Sequence, residues 1–139
     1  MKNLLKMTAG TAVLALGSAL PMMAQMDNGM NFTTSFPFYA ASVEMPAGSY
    51  RVSQPEMNAP ELLIQSADGK RSAFVDFIPT LSEQPHRQSD VTFHKYGDVD
   101  YLNRLWVVGQ RYGMKLDPTK AELKAASATA VVEHSVAGN

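Results

Sequence analysis

The chain has 139 residues, 45% hydrophobic and 18% charged, with no cysteine and a formal net charge of −1. That length suits one domain with its own core, and the near-neutral balance lacks the clustered positive charge that a nucleic-acid groove or an anionic-membrane patch requires. Without cysteine, thiol catalysis, disulfide staples and an acylated N-terminal cysteine are all excluded.

Lys2 and Lys6 precede an apolar run from Met7 to Leu20, and the small residues Gly17, Ala19 and Ala24 offer cuts after Ala19 or Ala24. This is the three-part pattern of a secretory signal peptide. Gly10 and Gly17 interrupt the run and Pro21 ends it, short of the roughly 20 apolar residues that a membrane span needs. We read residues 1–24 as cleaved, with Ala24 the preferred site. The remaining 115 residues then carry 10 basic and 13 acidic side chains. The expected location is the periplasm or the outside medium, with no transmembrane segment after cleavage.

Gln25 to Asn31 is polar and methionine-rich and reads as a flexible lead-in. From Phe32 the pattern turns to period two: Phe32, Thr34, Phe36 and Phe38 fall on one side of an extended segment, with Pro37 marking an edge or bulge. Met45-Pro46-Ala47-Gly48 is a turn by composition and leads into a strand from Ser49 to Ser53. Asp68-Gly69 between Leu62-Leu63-Ile64 and the run Ala73 to Ile78 predicts a hairpin. Residues Pro79 to Ser89 lack periodic apolar positions and predict the longest loop of the domain. Gly97-Asp98 predicts a second hairpin, between Val91-Thr92-Phe93 and Tyr101 to Val108, and alternation places Leu102, Arg104 and Trp106 on one face.

The pattern changes at Leu116. Asp117-Pro118, or Thr119 with Glu122 as a capping box, starts a helix through Ala126. Ser127 to Asn139 is alanine, valine and small polar residues, and reads as a frayed or disordered tail. The β domain is thus expected over residues 32–126. Its expected fold is all-β, a small antiparallel β-sandwich or barrel of about six to seven strands with a short C-terminal helix.

Four pieces of the chain carry a resemblance. They are Met45-Pro46-Ala47-Gly48-Ser49-Tyr50-Arg51-Val52, Val91-Thr92-Phe93-His94-Lys95-Tyr96-Gly97-Asp98, Tyr101-Leu102 leading to Trp106, and Gly113 to Leu116 followed by Glu122. Together they resemble an uncharacterised family of small exported β-rich proteins common in acidobacteria. Met45 stands where that family usually has leucine, and Val99-Asp100 precede Tyr101 without its usual phenylalanine. The resemblance implies export, a β-rich domain and a place in the envelope, and carries over no activity and no site residue.

His94 with Asp90, Asp98 and Asp100 is the cluster best suited to hold a metal or to act as general acid and base. Its spacing matches no established motif, and alternation places His94 with Thr92 and Tyr96 as a surface cross-strand residue. Asp98 and Asp100 lack the further oxygen donors of a calcium loop. Tyr96, Tyr101, Trp106 and Tyr112 form a candidate aromatic platform for a glycan or small ligand, weighed against a Trp106 that faces inward. Met26, Met30, Met45, Met57 and Met114 are scattered, as gap-fillers are. No Gly-x-Ser-x-Gly, His-Glu-x-x-His or phosphate-binding glycine loop is present.

The expected function is therefore that of an exported, non-catalytic envelope protein, a structural or interaction module that uses a sheet edge or the Pro79 to Ser89 loop. Its partner would be an envelope protein or glycan, and no cofactor is expected. The alternatives are a glycan or small-ligand binding module near Trp106 and a metal-dependent enzyme around His94.

Overall fold

The computed structural model describes residues 29–139. The expected signal peptide and most of the expected lead-in lie outside the described residues. Among those described, ten strands and one helix follow in the order β1 (Met30–Thr34), β2 (Phe38–Ala40), β3 (Val43–Met45), β4 (Gly48–Ser53), β5 (Glu61–Ser66), β6 (Ser72–Leu81), β7 (Asp90–Tyr96), β8 (Val99–Trp106), β9 (Tyr112–Leu116), α1 (Lys120–Ala128) and β10 (Val131–Ala137). The β-rich class and the short helix agree with expectation, and the strands exceed the expected six or seven. No helix among the described residues is long and apolar enough to cross a membrane.

The strands form one sheet, ordered β1-β4-β5-β6-β9-β8-β2-β3, with β7 on β8 and β10 on β7. All the ladders are antiparallel except the pairing of β2 with β8 through Tyr39 and Tyr101. The sheet is mixed and is not closed, which corrects the wholly antiparallel sandwich or barrel. Its two flanks approach at one end, where Phe32 bridges Gly138 and Asn31 exchanges backbone hydrogen bonds of 2.8 and 2.9 Å with Asn139.

Strand β6 turns the corner of the sheet. Its first half pairs with β5 and its second with β9. A ten-residue strand shared in this way lets residues from both halves of the sheet join one core cluster. Phe32, Phe38 and Phe93 surround one another there, with ring centroids 5.2 to 6.3 Å apart. Met30, Met45 and Met114 are fully buried among them, as flexible gap-fillers in a β core. Met30 belongs to β1, so the expected lead-in ends earlier than Asn31.

Both predicted hairpins form. Gly97 takes φ 62° in a two-residue turn with Asp98, and Gly69 takes φ 76°. The second turn is longer than two residues, because Ser66 N–H donates to Arg71 O at 2.9 Å and the Asp68 carboxylate accepts from the Ser66 hydroxyl and the Lys70 N–H. Around Pro37 the chain breaks between β1 and β2 rather than continuing as one edge strand.

Two expectations about irregular segments are overturned. Pro79 to Leu81 belong to β6, because Pro79 needs no N–H where it pairs with Met114. The shortened loop is pinned: Ser82 N–H donates to Arg111 O at 2.8 Å, and Gly109 N–H donates to His86 O at 2.8 Å. The second correction concerns the tail from Ser127 to Asn139, which completes α1 and then forms β10, paired with β7 from Val131↔Tyr96 to Ala137↔Asp90. A strand held by its backbone ladder and polar cross-strand pairs leaves no hydrophobic alternation to read.

Candidate functional site

The polar chemistry of the chain gathers around β7. Thr92, His94 and Tyr96 alternate with the core residues Val91 and Phe93 and therefore share the outer face. A bulge in the β7–β8 ladder pairs Thr92 with Arg104 and Phe93 with Leu102, leaving Asn103 as the extra residue. Leu102 and Leu105 can then both reach the core, and Arg104 and Trp106 lie on the outer face. This corrects the face shared by Leu102, Arg104 and Trp106 in simple alternation. The bulge also leaves Asn103 Oδ1 and Arg104 Nε buried without a hydrogen-bond partner.

Helix α1 supplies the cover. Lys, Ala, Glu and Leu favour helix, and the Thr119 hydroxyl caps it by accepting from the Glu122 N–H at 3.2 Å. The Glu122 side chain does not fold back to close a capping box. It turns inward, accepts from the Tyr96 hydroxyl at 3.4 Å and lies 4.0 Å from His94 Nδ1. Burial pushes the Glu122 carboxyl above the usual range, an effect opposed by His94, Tyr96 and Lys115. The same desolvation, with Glu122 beside it, raises the Tyr96 phenol.

From the other side, β10 brings Glu133 to 3.2 Å from His94 Nε2 and 3.7 Å from Arg104 Nη2. His94 is thus held between two carboxylates, one at each ring nitrogen. On the inner face, the neighbouring His134 reaches Asp100 at 2.5 Å, with its ring 4.8 Å from Phe36 and 5.7 Å from Phe93.

The cluster of His94 with Asp90, Asp98 and Asp100 is therefore not brought together. Asp90 pairs with Trp106 at the opposite end of β7, and Asp100 engages His134. Asp98 and Asp100 instead line a cleft of about 200 Å³ with Tyr39 and Glu44. Among the described residues no group of three or more His, Asp or Glu side chains could hold a metal ion. The real partners, Glu122 and Glu133 of His94 and His134 of Asp100, went unnoticed in sequence because they lie 28 to 39 residues away, in segments read as a capped helix and a frayed tail.

The four aromatic candidates divide. Trp106 is 7% exposed, stacked on His86 at 4.2 Å and approached by the Arg104 guanidinium at 5.7 Å. Gly113 lies against it, where an added Cβ would sit 2.5 Å from Trp106 Cε3. Tyr101 is buried between Tyr39, stacked at 5.4 Å, and Tyr96, edge-on at 5.9 Å. Tyr112 is half-buried beside Leu81 at the start of β9. Trp106 belongs neither to the core cluster nor to open solvent, and its stacked face is occupied by the protein itself.

Exposed apolar side chains occur elsewhere, on β6. Phe74 and Ile78 point outward, 61% and 49% exposed, with Leu63 across from Phe74. Between them Asp76 pairs with Glu61. No protein-family model, curated protein or solved structure matches the chain.

Proposed function

We propose that the chain is an exported, non-catalytic module of the cell envelope that meets a protein partner through the outer face of β6. One observation carries this reading: a long strand that turns the corner of the sheet presents Phe74 and Ile78 to solvent with the Asp76–Glu61 carboxylates between them. Exposed large apolar side chains with polar residues beside them are a feature of recognition surfaces. The surface that fits is apolar at two points with a basic side chain between them.

The titratable cluster around His94 gives the catalytic alternative less support, since its members pair within the chain. His94, Glu122, Glu133 and Arg104 engage one another, with Glu122 buried and Glu133 exposed. The resemblance to small exported β-rich envelope proteins agrees with this reading. The covered ring of Trp106 gives the glycan alternative less support.

The test is photo-crosslinking in envelope preparations from a probe placed at position 76. Cross-links to a defined protein that disappear in Phe74→Ser/Ile78→Ser, with the β signature in circular dichroism retained, support the reading. Cross-linking unchanged by that substitution would overturn it.

A further inference from the structure

We propose that residues 117–139 form an exchangeable arm, and that two copies of the chain bind each other by trading it. Among these residues Glu122 is the one buried side chain, and Val136 is the one hydrophobic side chain packed against the core cluster. Its release uncovers the margin of the interior at Phe36, Phe93 and Met30, which the same arm of another copy covers again. The arm is joined to β9 by Asp117-Pro118, both exposed, and the residue before a proline favours extended backbone, which suits a hinge.

Besides its backbone ladder and Val136, what holds the arm is polar and complementary. The receiving face supplies His94 and Arg104, and the arm brings Glu122 and Glu133 to them. On the opposite face the polarity reverses, His134 of the arm meeting Asp100 of β8. The Thr92 and Ser135 hydroxyls meet at 3.2 Å in the middle of the ladder. These pairs fix one register along β7, and a second copy's arm reproduces every one of them. The occupant that fits the vacated edge is thus a second copy, since exchange of an identical element needs no new contact.

The chain has no cysteine, so introduced thiols report without background. Full-length Thr92→Cys and Ser135→Cys chains are mixed at high concentration in mild denaturant, returned to native buffer, diluted and oxidised. Thr92 is buried beneath the docked arm, so its thiol meets the thiol of another chain only where that chain's arm lies on β7. The expected result is a heterodisulfide that is lost when the chains are refolded separately and mixed after dilution. Equal yields, with the Thr92→Cys/Ser135→Cys double variant closing readily within one chain, would overturn the proposal. Light scattering on the unmodified chain decides the matter independently of the variants: dimer that accumulates with concentration during co-refolding supports exchange, and monomer throughout rejects it.

Discussion

His134 and Asp100, 34 positions apart, meet at 2.5 Å across the intervening strand β7. Asp100 is buried and His134 is partly exposed, so the imidazole gives the carboxylate its hydrogen-bond partner and fastens β10 to the sheet. Removing one member of such a pair leaves the other desolvated and unpaired.

His134→Ala is accordingly expected to lower stability by about 1–3 kcal/mol. A double-mutant cycle with Asp100→Asn, followed by urea unfolding, measures the pair. Additive losses would show that the two residues do not support each other.

Glu122 makes stability depend on pH in a stated direction. Its folded carboxyl is raised above the unfolded value near 4.5 because burial opposes ionisation. The protonated form favours the fold, so its contribution is complete below about pH 4.5 and is lost as pH rises through the folded value. The stability difference between the natural chain and Glu122→Gln should therefore fall over that window and be flat below it. Parallel pH profiles would remove Glu122 from the account.

Gly113 is required for close approach. A methyl group there would meet the Trp106 ring at 2.5 Å and Leu105 O at 2.9 Å. Gly113→Ala should cost about 1–3 kcal/mol by overpacking and displace the indole from His86. Chemical unfolding and the tryptophan emission maximum report the two effects, and an unchanged emission maximum would contradict the contact.

Ala41 takes φ 54° in the two-residue turn between β2 and β3, a conformation that disfavours any side chain. Ala41→Gly should gain about 0.5–1 kcal/mol, provided that the lost methyl contact stays small. A thermal melt at fixed pH measures it, and a lower midpoint would show that packing outweighs backbone strain.

Local chemistry was legible from residue order alone. Phe32 and Phe38 announce a buried sheet face by alternation, Ile64 and Val75 lie in apolar runs, Gly97 and Gly69 mark their turns, and Thr119 with Glu122 marks the helix start. Each of these signals acts within a few positions along the chain. Alternation failed where an extra residue entered, at Asn103, and the tail gave no apolar rhythm because β10 is held by backbone bonds and charges. Which carboxylate meets which histidine was decided by folding alone. His94 has aspartates close by in the chain, yet the helix and the last strand deliver Glu122 and Glu133 to it, and Asp100 meets His134 instead. Periodicity specifies the face a side chain occupies, whereas ion pairing depends on distances in space that only the assembled sheet sets.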